Sequence, residues 1–213
     1  FMRHEVEELT SFPNNDDVQI NVDLIRRLSP DSLSIMEFKR KIDIQIAEKM
    51  LQCPLLGEKI SDLWNLTLGR EFHMTDDKHL FKQEPTQCRL PLYEGKMIHQ
   101  FTHQWGEPKY WLDEKESRQS LVGRKSTDDG QKLNYQYYRF AYRAIASSTN
   151  ERTLISTILP KNVFCGHSLN VAYLDSGGTA LFLCSVMNSF IFDFALRQQV
   201  STNLTMFFIY QTP

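Results

Sequence analysis

Two groups of residues in this chain have side chains suited to chemistry at a metal. His99 and His103 stand four apart, the spacing of two ligands on one face of a helix. Their segment alternates as a strand does and no third ligand accompanies them, so both are expected to act as polar groups facing DNA or solvent. Pro30-Asp31 with Glu37-Phe38-Lys39 has the acids and the lysine with which a metal nuclease activates water. Those two parts lie too close together, and Glu37 is better explained as the capping partner of Ser34 at a helix start. No metal site is therefore expected. The chain has no G-x-G-x-x-G turn, no G-K-[ST] loop and no G-x-S-x-G elbow, so dinucleotide binding, a phosphate loop and a serine hydrolase are not signalled. Cys53, Cys88, Cys165 and Cys184 form no C-x-x-C pair, which argues against a zinc ribbon and gives no disulfide framework; reduced, cytoplasmic thiols are the expectation.

Elements must position whatever these side chains do. A length of 213 residues fits one large domain or two small ones, and 41% hydrophobic residues suffice for a substantial core. No run approaches the roughly 18 apolar residues of a membrane span, and the N-terminus does not read as a signal peptide, so no membrane partner is expected. A start on Phe1 suggests a piece of something longer. The net charge of −2 does not announce a nucleic-acid binder, but between Lys115 and Lys161 nine basic residues face four acids. A local basic patch on a near-neutral protein suits a reader that must not adhere to every duplex.

Ile35, Phe38, Ile42, Ile46 and Met50 recur at helical spacing, predicting a helix that starts at the Ser34/Glu37 capping box and ends near Gln52, before Pro54. A strand is predicted from Leu90 onward through His99, Phe101 and His103. Residues 107–134, rich in charge and Gly, read as a long exposed excursion. Phe140–Arg143 and Thr153–Leu159 read as strands; Gln136–Ala146 could instead be a helix, and either version sets Arg139 and Arg143 on a common side. A largely buried helix is expected over about Thr179–Gln198, and a short strand over Thr205–Tyr210.

Several segments resemble, in order, the C-terminal region of adenine-specific DNA methyltransferases of restriction–modification systems, including the fused type IIG enzymes. They are Ser29-Pro30-Asp31-Ser32-Leu33-Ser34 with Glu37-Phe38 and the helix holding Asp43; Arg70-Glu71-Phe72-His73-Met74-Thr75-Asp76-Asp77-Lys78-His79-Leu80-Phe81; and Leu90-Pro91-Leu92-Tyr93-Glu94-Gly95-Lys96-Met97-Ile98-His99-Gln100-Phe101. Arg139-Phe140-Ala141-Tyr142-Arg143, Thr149-Asn150-Glu151-Arg152-Thr153-Leu154 and Met187-Asn188-Ser189-Phe190 continue the likeness. In such enzymes an upstream domain binds S-adenosylmethionine, flips an adenine out of the duplex and methylates it, while the downstream domain chooses the sequence. The Asn-Pro-Pro-aromatic motif of the catalytic part is absent here, since no two prolines are adjacent.

The resemblance thus implies a non-catalytic target-recognition region, with no cofactor of its own, that works on double-stranded DNA in cis with a methyltransferase domain. The expected fold is α+β: a helical connector, 1–89, followed by a mixed-sheet recognition domain, 90–213, with a long buried helix near its end. Arg118, Arg124, Lys125 and Lys132 are expected to clamp phosphates. Lys96, His99, Gln100, Arg139, Arg143, Asn150 and Arg152 are expected beside strands or turns, where they suit direct contacts with bases. The competing reading gives Tyr93, Gly95 and Lys96 a tight turn to build, and pairs Arg143 and Arg152 with Glu94 or Glu151. At the level of function the competitor is a module that docks the methyltransferase domain or a partner subunit. One concave face lined by the basic group from Arg118 to Arg152 favours DNA; scatter favours docking.

Overall fold

The computed structural model describes residues 12–13, 17–30, 33, 35–61, 64–123, 126–174, 176–200 and 202–213. In chain order the elements are helices α1 (Val22–Leu28) and α2 (Lys41–Met50), then strands β1 (Thr67–Gly69), β2 (Phe81–Lys82), β3 (Arg89–Tyr93) and β4 (Tyr110–Asp113). Helix α3 (Glu114–Val122) is followed by strands β5 (Arg139–Arg143), β6 (Ser156–Leu159), β7 (Phe164–Cys165) and β8 (Leu169–Tyr173). Helices α4 (Gly177–Met187), α5 (Phe190–Arg197) and α6 (Met206–Tyr210) close the chain. The fold is α+β. One sheet has the order β1-β8-β5-β6 and is antiparallel; the other runs β2-β4-β3-β7, with β3 and β7 parallel.

Strand β5 organises the centre, because its alternation feeds two different cores. Phe140 and Tyr142 pack with Leu183 and Met187 of α4 and Phe192 and Leu196 of α5. Ala141 joins Ile98, Leu169 and Val171 in a second cluster on the opposite face. Arg139 and Arg143 share Ala141's side, as the parity of the strand requires. A further cluster of Phe72, Leu92, Leu112, Tyr135 and Phe164 belongs to the second sheet. Residues 67–82 contribute a strand to each sheet, whereas Leu24, Leu28, Phe38 and Ala47 make a core of their own near the N-terminus.

Five local expectations are corrected. Helix α2 ends where predicted but starts only at Lys41. The carboxylate of Asp43 accepts from the backbone N–H groups of Lys39 and Arg40, at 3.1 and 2.9 Å, and so caps the helix from inside its first turn. Asp43 and Ala47 form its buried face, while Ile35 and Ile42 are exposed. Ser34 and Asp31 lie outside the described residues. The strand expected through His103 stops at Tyr93, because a 3-10 turn over Gly95–Met97 and a left-handed Phe101 (φ 61°) fold the next residues into a compact loop.

The supposed excursion is largely ordered. Tyr110-Trp111-Leu112 pairs with both β3 and β2, and Asp113 caps α3 by accepting from Lys115 N and Glu116 N. The helix expected over 179–198 is two helices meeting at 63°, because Asn188-Ser189 breaks it and Ser189 Oγ accepts from Phe192 N to begin α5. Residues 206–210 are helical rather than extended. Among the described residues no single helix is long and apolar enough to cross a membrane; the bent α4–α5 pair passes by length and composition only when its two halves are taken together.

Tyr135 is fully buried and donates to Glu114 Oε1 at 2.6 Å. Burial, aided by that carboxylate, pushes its ionisation up to about 12. The folded state therefore holds the phenol proton more tightly than the unfolded chain does. Its contribution to stability is intact below pH 10 and is lost as pH rises towards about 12. Denaturation midpoints measured from pH 8 to 12 should fall less steeply for Tyr135→Phe than for the parent chain.

Candidate nucleic-acid interface

Gly95 sets the site. Its N–H donates to Ser168 Oγ at 2.9 Å, and a side chain at this position would meet Ser168 O at 3.0 Å, so the turn after β3 lies directly against the β7–β8 connection. From there residues 98–106 form a loop pinned at its base. Phe101 N donates to Ser156 O, Trp105 N donates to Met97 O, His99 and Thr102 bridge, and Arg143 Nη2 donates to the carbonyl of Ile98. Beside that base the rings of His99 and Trp105 lie 4.5 Å apart, tilted by 36°, and Tyr93 OH lies 3.5 Å from His103 Nδ1. Phe101 and Trp105 are 67% and 61% exposed. A pinned base under two exposed aromatics, with partly exposed imidazoles beside them, suits stacking on, and hydrogen bonding to, a flat polar ligand.

Three segments far apart in sequence meet beneath this loop. Asn188 Nδ2 donates to Ser156 O (3.1 Å) and Cys184 O (2.9 Å), and Arg152 Nη2 donates to the carbonyl of Asn188. The amide of Gln100 lies between Asn188 Oδ1 and the guanidinium of Arg152; with its oxygen towards Arg152 it accepts from Nε and Nη2, each at 3.2 Å. Asp193, buried in α5, accepts from Leu154 N at 2.8 Å and Arg197 Nη2 at 3.1 Å, with Arg152 Nε 3.8 Å away. Arg152 also sits over the Phe190 ring, 4.4 Å from its centroid.

The residues expected to contact DNA divide into three kinds. Lys96, His99 and Gln100 lie in or beside the loop, and Lys96 is exposed with its Nζ 3.0 Å from Glu94. Asn150 is exposed on the 147–151 turn, and Lys132 is exposed with its ammonium 5.9 Å above the Tyr137 ring. The arginines are engaged inside the molecule. Arg139 is 3% exposed; it pairs with the buried Glu71 and donates to Val163 O at 2.7 Å. Arg118 grips Asp128 with Nε and Nη2, at 2.8 and 2.7 Å, and reaches Tyr135 OH and Gln131 O, which fastens the 128–136 segment to α3. Arg143 and Arg152 are partly buried, and their partners are Ile98 O, Asn188 O and Asp193 rather than Glu94 or Glu151. Arg124 and Lys125 lie outside the described residues. Of the described members of the basic group from Arg118 to Arg152, the four arginines are engaged inside the molecule with partners in different parts of the fold, and Lys132 is exposed.

Sequence reasoning passed over Trp105 and the ridge of Arg70, His73 and His167. Arg70 Nε donates to Asn170 Oδ1 at 2.9 Å, and the two imidazoles stack at 5.1 Å. Burial, then the nearby His73 and Arg70, hold His167 below the ordinary histidine value, so at neutral pH it is an uncharged donor and acceptor. Trp105 carried a signal, an aromatic beside a glycine and two residues beyond an imidazole; the His73–His167 pair carried none, because its members are 94 positions apart. Among the described residues no group of three His, Cys, Asp or Glu is arranged to hold a metal. No known family model matches the chain, and comparison with curated proteins finds no match either.

Proposed function

We propose that this chain is the DNA target-recognition part of an adenine-specific DNA methyltransferase of a restriction–modification system, acting on double-stranded DNA in the cytoplasm. It reads sequence and leaves methyl transfer from S-adenosylmethionine to a catalytic domain in cis. One observation carries the reading. The segments whose residues bear the family likeness, 90–101, 149–154 and 187–190, meet at one junction, and that junction supports the loop that exposes Phe101 and Trp105. Gln100, Arg143 and Arg152 then position the loop, while its exposed side chains and those of Asn150 and Lys132 face the duplex. A base-edge contact of good geometry discriminates by about 1–3 kcal/mol, so a short loop of this kind can specify several base pairs.

A second reading, that the chain docks a protein partner, is favoured by the scatter of the arginines and by the apolar side chains that α4 and α5 expose. Leu181, Phe182 and Ile191 are each more than half exposed, and Phe190 is 82% exposed. Selection from a pool of random duplexes at low salt separates the two readings. Enrichment of a short sequence motif supports recognition. Salt-sensitive retention without enrichment reduces the chain to a backbone clamp, and no retention at all hands the case to docking.

A further inference from the structure

A second surface, separate from the 98–106 loop, has the chemistry of a nucleotide site. Asn134, the start of β5, Lys161, and Leu174, Ser176 and Gly177 at the approach to α4 line a cavity of about 390 Å³. That volume lies within the range of small-molecule sites, roughly 300–1,000 Å³. Its walls carry two exposed aromatic rings. Tyr137 and Tyr138 follow one another at the entry to β5 and are 46% and 61% exposed, although a phenol usually buries its ring.

Each ring has a lysine poised over it. Lys132 Nζ lies 5.9 Å from the centroid of Tyr137, and Lys161 Nζ lies 5.1 Å from that of Tyr138. Arg139 borders the cavity, but its guanidinium is buried and spent on Glu71 and Val163 O. Among the described residues that line the cavity none is acidic. Two exposed flat rings and the Lys161 ammonium match a ligand with a planar base and an anionic group.

From this arrangement we infer that the Tyr137–Tyr138 cavity binds a nucleoside phosphate, one unit of a nucleic-acid strand or a free nucleotide. Tyr138 stacks on the base, and Lys161 leaves its ring to meet the phosphate. Aromatic stacking on a base is sequence-tolerant because every base has a π face, so this site holds a strand without reading it. The cavity differs in residues from the loop and does not depend on the loop's role.

The test titrates the intact chain with AMP, with a short single strand and with a hairpin duplex at low salt, following heat of binding. Tyr138→Ala and Lys161→Ala should each weaken binding of the cavity's ligand by about tenfold, and Tyr138→Phe should retain it because the ring is kept. Both altered side chains are exposed, so thermal unfolding should be unchanged. AMP binding that responds to these substitutions identifies a free-nucleotide site; a response confined to the strands identifies a strand-holding site. Repeating the titrations in a Phe101→Ala/Trp105→Ala background should leave the cavity's response intact, which separates it from the loop. If none of the three probes binds the parent chain, or if binding is indifferent to both Tyr138→Ala and Lys161→Ala, the inference is wrong.

Discussion

Glu71→Ala should cost the fold about 3–5 kcal/mol, the largest loss expected from any single substitution described here. The carboxylate is as deeply buried as its partner, with side-chain exposures of 2% and 3% for Glu71 and Arg139. One Glu71 oxygen receives the Arg139 guanidinium and the other accepts from Cys165 N at 2.8 Å, so the side chain ties β5 to β7 across the two sheets. Removing it leaves a charge in the core with one carbonyl for company and an orphaned backbone donor. The unpaired charge is the greater part of the damage. Glu71→Leu/Arg139→Met, which removes both partners and keeps apolar volume, should therefore recover much of the loss. Urea midpoints for the parent, the single variant and the double variant check this. A double variant no more stable than Glu71→Ala would mean that the carboxylate acts through Cys165 N and packing, not through charge.

Phe101→Ala/Trp105→Ala should leave stability nearly unchanged and reduce duplex binding by roughly one and a half to four orders of magnitude. Both side chains are mostly exposed, so little packing is lost. The loop's shape is held by Phe101 N to Ser156 O and Trp105 N to Met97 O, backbone bonds that alanine preserves. Stacking of a base on one aromatic side chain contributes about 1–3 kcal/mol, and two such contacts sum to the stated range. Fluorescence anisotropy with a labelled duplex carrying the selected motif measures the loss. An unchanged affinity would remove the loop from the recognition surface and leave the apolar face of α4 and α5 as the stronger functional feature.

Local pattern gave a strand over Phe140–Arg143 with a helix as the alternative, which the structure resolves as the strand Arg139–Arg143, and it carried the α+β class and the shared side of Arg139 and Arg143. It could not carry their burial, because Glu71 lies 68 positions upstream and only the sheets bring it beneath Arg139. The start of α2 was misplaced for a related reason: Ser34 with Glu37 and Arg40 with Asp43 offer the same three-residue spacing, and only packing selects the second. Residues 107–134 read as a loop because α3 is polar almost all round, with Ser117 its one buried residue among those described, while its anchor, Tyr110-Trp111-Leu112, is only three residues long. Asn188-Ser189 was read as the interior of one helix because the apolar period continues across it. The apolar run 206–210 fits strand and helix equally by pattern alone. Of the site, the loop's polar residues were legible as types, and the reversal that exposes Phe101 was not.

The pairing of β1 with β8 also sets a schedule for synthesis. Thr67 to Gly69 hydrogen-bond to Val171 to Tyr173, and the N–H groups of Leu56 and Gly57 find their acceptors at Thr212 and Tyr210. At about 5–20 residues per second, the ribosome emits the first partners on the order of ten seconds before the last. Through that interval Leu68 has neither its strand nor its core. β1 can pair only once translation has passed β8, so a chain ended between residues 70 and 168 leaves β1 without its partner strand.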